Sequence, residues 1–424
     1  MTMTTVKRPR RGLWRWLKAL LALSTVVFVA GFAYTRGPAF GATPSGQRQL
    51  RIEQSSQWDT RRFVNRQPQW LDLRKALREA VFGEGNAHAN PDAPIAVVHT
   101  DAAQLAQPAA SGLRVTWFGH SSTLVEIDGV RVLTDPFWGE RASPVDWAGP
   151  KRFFAAPIGL RDLPPIDAVV ISHDHYDHLD RATVEQLRDT ATVFVVPLGI
   201  GAHLERWGIP PSRIRELDWW ETTKVGDLDI TATPARHASG RLSNDSGRTL
   251  WAGYALHGPE HRVWYSGDTG FHDQLDDIGE RLGPFDLTLL DAGQYNPLWP
   301  DAHLGPEQAV EAHRLVKGRT MVPVHWGLLN LAPHTWTEPV ERVRVQAACR
   351  GVDLLILQPG RVTEPEQPGE MTAWWPSLPW KTARERAMRS TLAGDPVESY
   401  PPFDCAHRPW PMRGRHRHAV SMTP

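Results

Sequence analysis

Cysteine is nearly absent from this 424-residue chain: only Cys349 and Cys405 occur. No Cys-x-x-Cys spacing exists, which excludes Cys-type structural zinc sites and dithiol redox motifs. Any metal chemistry must therefore use imidazole and carboxylate. Cys349 has the pattern of a buried helix position and Cys405 sits in a Pro- and Arg-rich tail, so free thiols are expected. Net charge is also missing. With 47 Lys+Arg against 47 Asp+Glu, the chain has no global field to draw nucleic acid, and no nucleic-acid partner is expected. No internal repeat is present.

What the chain does have is histidine and tryptophan, 18 and 19 residues respectively, within an ordinary globular composition of 41% hydrophobic and 22% charged residues. The N-terminus is basic through Lys7, Arg8, Arg10, Arg11, Arg15 and Lys18. An uncharged apolar run from Ala19 to Tyr34 follows. The run is shorter than the about 20 residues of a usual span, although Leu13, Trp14, Trp16 and Leu17 extend it. Ala39-Phe40-Gly41-Ala42 is a poor cleavage site, so an uncleaved anchor is expected in preference to a signal peptide and a secreted form. Basic residues on the near side place the rest of the chain outside the cytoplasm, in the periplasm if the source is bacterial.

Four regions follow from the patterning: 1–45, the basic segment, anchor and linker; 46–112, an N-terminal extension; 113–362, the main domain; and 363–424, a tail rich in Pro, Trp and Arg. In the extension, helix-like spacing recurs over Leu71–Val81. From Leu113 short apolar strands dominate, with a hairpin signal at Asp128-Gly129 between Thr123–Ile127 and Val130–Thr134. Strands at Asp167–Ser172, Ala191–Pro197, Leu228–Thr233, Thr249–Leu256, Arg262–Ser266, Asp286–Leu290, Thr320–Val324 and Asp353–Leu357 are interleaved with helices at Ala182–Leu187, Ile200–Trp207 and from Pro306. Hairpins mixed with βα units predict an α/β protein of stacked sheet and helix layers.

The central signal is Ser172-His173-Asp174-His175-Tyr176-Asp177-His178-Leu179-Asp180, directly after a buried strand. Ligand sites in α/β proteins are built at such strand ends. On a tight loop His173 and His175 can face one ion while Asp177 and His178 turn toward a second. Neutral imidazole and carboxylate suit Zn²⁺, and also Fe²⁺ or Mn²⁺. Further donors follow later strands: His237, Asp268 in Ser-Gly-Asp-Thr-Gly, and His325 in Val-His-Trp-Gly.

The order His-x-His-x-Asp-His, His, Gly-Asp-Thr-Gly and a late His resembles the metallo-β-lactamase superfamily. Within it the chain looks like the N-acyl-phosphatidylethanolamine-hydrolysing phospholipase D family. The matching segments include Val115-Thr116-Trp117-Phe118-Gly119-His120-Ser121, Leu133-Thr134-Asp135-Pro136, Gly149-Pro150-Lys151-Arg152-Phe153, Glu216-Leu217-Asp218-Trp219-Trp220 and Gly283-Pro284-Phe285-Asp286-Leu287. The resemblance spans roughly residues 60–360. It implies a four-layer αβ/βα sandwich with the site between its sheets; the N-terminal membrane segment expected above and the C-terminal tail lie outside the shared pattern. It assigns His173, His175 and His237 to one metal, Asp177, His178 and His325 to the other, and Asp268 to both. His303, in Ala302-His303-Leu304-Gly305-Pro306, would lie near the substrate phosphate. The stretch Asp291–Pro297 departs from the animal enzymes, which leaves the exact lipid open.

The implied chemistry is hydrolysis through a metal-bridging hydroxide, with Asp177, Asp268 and His303 as the catalytic set. A phospholipid such as N-acyl-phosphatidylethanolamine would yield phosphatidic acid and an N-acylethanolamine. His120, Asp135, Asp180 and Thr269 are candidates for supporting the ligands. Arg236 and Arg241 flank His237 and are candidate phosphate contacts, Arg241 foremost, with surface pairing to Asp245 as the other fate. Trp138, Trp147, Trp219, Trp220 and Trp299 are candidates for meeting lipid, the rest for core packing. Two other readings use the same residues: a lactonase or other ester hydrolase, and a non-catalytic membrane-tethered metal-binding protein. A homodimer is compatible with the sequence.

Overall fold

The computed structural model describes residues 11–83, 85–241 and 245–407. In chain order the elements are α1 (Arg11–Tyr34), α2 (Gly46–Glu53), α3 (Leu73–Phe82), α4 (Ala102–Ala106), β1 (Leu113–Gly119), β2 (Ser122–Ile127), β3 (Val130–Thr134) and β4 (Ala168–Val170). Next come α5 (Arg181–Gln186), β5 (Val193–Pro197), α6 (Gly201–Arg206), β6 (Ile214–Leu217), β7 (Thr222–Val225), β8 (Leu228–Thr233), β9 (Gly253–His257) and β10 (Arg262–Tyr265). The remainder is α7 (Leu275–Arg281), β11 (Phe285–Asp291), α8 (Pro306–Leu315), β12 (Gly318–Val324), α9 (Glu338–Arg350), β13 (Asp353–Leu354) and β14 (Val362–Thr363).

The strands form two mixed seven-stranded sheets, ordered β14-β1-β2-β3-β4-β5-β6 and β13-β12-β11-β10-β9-β8-β7. Period-two alternation divides their side chains into layers. Val115, Val125, Val132, Val170 and Val195 of the first sheet meet Tyr254, Leu256, Val263, Leu287 and Val322 of the second in one central core. The alternate residues Leu124, Leu133, Val169 and Phe194 pack with Val184 of α5 and Leu204 of α6. On the far side, Trp264, Leu290 and Met321 pack with α7, α8 and α9 through Ile278, Val310 and Val343. The layers are therefore helix, sheet, sheet, helix. The hairpin turn forms as the sequence indicates: Asp128 and Gly129 take φ of 49° and 87°, the left-handed pair that a two-residue turn requires.

Several expectations need correction. Neither β6 nor β7 was foreseen, because Ile214–Leu217 and Thr222–Val225 are short edge strands of mostly polar residues. Cys349 and Cys405 are not free thiols: they form a disulfide that closes a sequence separation of 56. Cys349 does lie on α9, but on its exposed face, within reach of the tail. The described part of the tail, to residue 407, packs on the domain, with Trp374 stacked on Trp326 at 5.3 Å between ring centroids. His416 and His418 lie outside the described residues. The apolar N-terminal run is helical as α1, with Trp14, Trp16, Leu20, Leu21 and Val26 exposed. Among the described residues, however, no helix is long and apolar enough to cross a membrane.

Candidate metal centre

In the first sheet β1 and β3 run alongside the parallel strands β4, β5 and β6. In the second, β8 and β10 run with β11 and β12. The chemistry-bearing loops leave the C-terminal ends of these strands: His120 after β1, Asp135 after β3, His173–His178 after β4, His237 after β8, Asp268 after β10, Asp291 ending β11, and His325 after β12. His120, Asp135 and His325 adopt φ of 53°, 34° and 64°, a region that non-glycine residues occupy infrequently. Gly267 takes φ 58°, and a Cβ there would lie 2.6 Å from Ser172 Cβ. Only glycine lets the Asp268 loop approach the His173 loop this closely.

The donors converge in two groups. His173, His175 and His237 present ligand atoms within 4.8 Å of one another. Asp177, His178 and His325 do so together with His120. Asp268 joins the groups: its Oδ2 lies 3.1 Å from His178 Nε2 and from His325 Nε2, and 3.8 Å from His173 Nε2 and from His237 Nε2.

The rings are aimed by what holds their other nitrogen. His178 Nδ1 lies 2.6 Å from Asp135 Oδ2. That carboxylate also accepts from the Ser172 amide and hydroxyl and from the Tyr265 hydroxyl. His237 Nδ1 is 2.8 Å from the Ala302 carbonyl, His173 Nδ1 is 2.9 Å from Ser172 Oγ, and His325 Nδ1 is 3.3 Å from Asp291 Oδ1. In each case Nε2 is left pointing into the cluster, as in metal sites where a second oxygen fixes the tautomer.

The fit to metal rests on atoms that lack partners. His178 Nε2, His325 Nε2 and Asp268 Oδ1 are buried with no hydrogen bond, a costly condition that a cation relieves. Electrostatics agree. Burial would raise the carboxyl pKa of Asp268, but His178 and His325 outweigh it and hold it well below the ordinary range. Asp177 is likewise held low by His178 and by the His120 hydrogen bond against the effect of burial. Burial would push His178 down, yet Asp268, Asp177 and Asp135 raise it well above 6.5. The donor set is thus anionic carboxylate among imidazoles, with protons standing where cations fit. All its donors are N or O, matching Zn²⁺, Fe²⁺ or Mn²⁺.

The other site candidates fall in different places. His120 Nε2 is 2.8 Å from Asp177 Oδ2, and burial drives its pKa down to about 4. His303 stacks on His325, 4.8 Å between centroids. Its Nδ1 is 3.1 Å from Asp291 Oδ2 and 3.7 Å from Asp268 Oδ2, and its side chain is 15% exposed. Thr269 Oγ1 accepts from the Arg236 amide and so anchors the Asp268 loop. Asp180 does not join the cluster. It caps α5 through the Ala182 and Thr183 amides and ties down Gly139. Arg241 is no phosphate contact: its buried guanidinium donates to the carbonyls of Ala39, Asp174 and Leu179 and lies over the Tyr176 ring at 4.0 Å. A buried guanidinium needs such acceptors, and these fix the backbone around His175. Trp219 is buried and Trp138 bonds Ile158, whereas Trp147 is 78% exposed.

Three contributors escaped the sequence. Asp291 braces both His303 and His325. It was legible in principle, as an acid ending an apolar strand just as Asp268 follows one. The second is the 65–69 segment of the extension. Asn65 accepts from the His237 amide and donates to the His237 carbonyl, while Gln69 Nε2 donates to the Arg236 and Asp301 carbonyls. The third is a buried ion pair, Arg236 Nη1 to Asp301 Oδ1 at 2.9 Å. It joins the loop of His237 to the loop of Ala302 and His303, and Thr391 of the tail bonds the same carboxylate. No local signal marks contacts between residues so distant in sequence.

An αβ/βα sandwich with His and Asp gathered at its strand ends defines a class of metal-dependent hydrolases. A model of the beta-lactamase superfamily domain matches residues 130–326. A protein of Mycobacterium tuberculosis described as uncharacterized is 45% identical over 367 residues, 84% of this chain and 98% of that one. N-acyl-phosphatidylethanolamine-hydrolyzing phospholipase D 1 of Caenorhabditis elegans is 41% identical over 247 residues, 55% of this chain and 69% of that one. Among solved structures, Igni18, a metallo hydrolase of Ignicoccus hospitalis, aligns with 25% identity and a TM-score of 0.47 over 59% of this chain and 97% of that one. The chain belongs to the metallo-β-lactamase superfamily and is a metal-dependent hydrolase.

Proposed function

We propose that His173, His175 and His237 hold one divalent ion, that Asp177, His178 and His325 hold a second, and that the enzyme hydrolyses a phospholipid phosphodiester. The observation that carries this reading is Asp268, whose Oδ2 lies within 3.8 Å of ring nitrogens from both groups. The preferred metal is Zn²⁺, with Fe²⁺ or Mn²⁺ also accommodated. When bound, such ions supply the positive charge that offsets a phosphodiester's repulsion of its nucleophile and the acidity that activates water. His120 orients Asp177, Asp135 orients His178, and Asp291 orients His325 and His303. His303 is a partly exposed ring of the cluster, placed to orient the phosphate or to give a proton to the leaving oxygen.

Similarity to the nematode phospholipase supports N-acyl-phosphatidylethanolamine as the substrate, with phosphatidic acid and an N-acylethanolamine as products. The Cys349–Cys405 disulfide supports a catalytic domain outside the cytoplasm, since such bonds persist in oxidising compartments. The basic N-terminus and the exposed apolar residues of α1 support tethering to a membrane. The test is turnover of N-acyl-phosphatidylethanolamine by metal-loaded protein beside a lactone and a simple ester. Release of N-acylethanolamine, abolished in Asp268→Asn, is expected. Cleavage of the lactone with none of the lipid would replace the phospholipase reading with the esterase one.

A further inference from the structure

The helix α3 exposes a set of large apolar side chains that none of the described residues covers. Leu73, Leu77 and Val81 recur at every fourth residue, which puts them in one stripe, and they are 56%, 57% and 69% exposed. Leu71 before the helix and Phe82 at its end are exposed too. Arg74 and Arg78 run beside the stripe on the helical wheel. The opposite side faces the protein, where Lys75 and Glu79 help line a cavity of about 890 Å³. Trp299 and Leu331 wall that cavity, and Lys381 and Arg386 add further positive charge. The helix is fixed at its start: Asp72 caps it by accepting from the Lys75 amide, and the Asp72 amide bonds the Leu298 carbonyl.

An apolar stripe left in water on a short basic helix, anchored at one end, has the composition of an element that lies in a membrane interface. A protein partner would be expected to meet an apolar face ringed by mixed charge. Here the charge bordering the stripe is that of Arg74 and Arg78 on one flank, complementary to anionic headgroups. We propose that α3 docks on an anionic phospholipid surface, with Leu73, Leu77 and Val81 entering the interface and Arg74 and Arg78 meeting phosphates. The purpose of this docking rests on the lipid-hydrolase reading above; the docking itself is read from α3. It brings to the membrane the Leu298–Trp299 loop, which lies a few residues before His303.

Because α1 is a separate candidate for tethering the chain, bulk sedimentation with vesicles is a poor readout and the local environment of α3 is the informative one. An environment-sensitive fluorophore is placed on the full chain at Val81→Cys, and vesicles of phosphatidylcholine and phosphatidylglycerol are added. The expected result is a blue shift quenched by brominated acyl chains, present with anionic vesicles and weak with phosphatidylcholine alone. Arg74→Glu with Arg78→Glu should weaken the response by about fivefold per charge removed. A probe that stays in water while the chain binds the vesicles overturns the proposal. So does a blue shift without vesicles: one that grows with protein concentration would mean a second copy covers α3, and one that does not would mean a segment of its own chain does. Docking without phospholipid cleavage would sink the phospholipase reading alone, and cleavage with the probe in water would sink this one alone.

Discussion

Replacing Asp301 by asparagine tests whether the buried knot behind His237 holds the metal site or only the fold. Asp301 is fully buried and pairs with Arg236, itself 1% exposed. Burial pushes the Asp301 carboxyl up and the Arg236 guanidinium down, and their attraction offsets neither shift fully. The pair is therefore a device for fixing geometry more than a source of stability. Asparagine keeps the shape and one acceptor for Arg236, but it turns an NH₂ toward the Trp70 amide, which now donates to Oδ2. One buried amide is orphaned and the guanidinium loses its counter-charge. Breaking one side of such a pair costs on the order of 3 kcal/mol, read as a lower denaturation midpoint in urea. The second effect is local. Ala302, next to Asp301, accepts from His237 Nδ1, so the first metal group should lose affinity by about 10–100-fold, while the group of Asp177, His178 and His325 is little changed. Metal titration with Co²⁺ spectra separates the two sites. A variant that is destabilised yet binds both ions with unchanged affinity would show that the Arg236–Asp301 pair serves the fold alone.

Three further outcomes follow from the geometry. His303→Gln should keep both metals and lower turnover by about 10²–10⁴-fold, and unchanged turnover would remove His303 from the reaction. Reducing the Cys349–Cys405 bond frees a loop of 56 residues, for which chain entropy gives about 4 kcal/mol; the Cys405→Ser variant should show a correspondingly lower denaturation midpoint under oxidising conditions only. Acid should destabilise the protein in a defined window. Burial holds His313 and His334 at about 4 and His272 at about 3, and His334 Nε2 accepts from the Gln294 amide, which needs a neutral ring. The unfolded chain takes up these protons below about pH 6.5 and the folded chain does not. Stability is therefore present above 6.5 and falls toward pH 4, by about 1.4 kcal/mol per pH unit for each ring. Flat stability across that window would contradict the burial of these rings.

The fold and the site were legible to different depths. The bounds of Val130–Thr134 and Leu228–Thr233 were read to the residue, because each is a short run of apolar and β-branched residues set off by a turn. The candidate donors that converge could be named because each follows an apolar strand and imidazole–carboxylate clusters have few other uses. Arg241 and Asp180 were misread because sequence cannot tell a polar side chain that serves substrate from one that satisfies backbone: the first holds carbonyls, the second caps α5. The disulfide depends on α9 presenting Cys349 outward, a matter of helix rotation that two isolated cysteines do not reveal. Asn65, Asp301 and Thr391 act across sequence separations that no pattern encodes.

The account stands on paired ions at Asp268. Metal content of the purified full chain, measured by mass spectrometry beside Asp268→Asn, tests it most directly. Two divalent ions per chain in the wild type, with at least one lost in the variant, is the predicted result. One ion or none in the wild type, or two held equally well by Asp268→Asn, would contradict it.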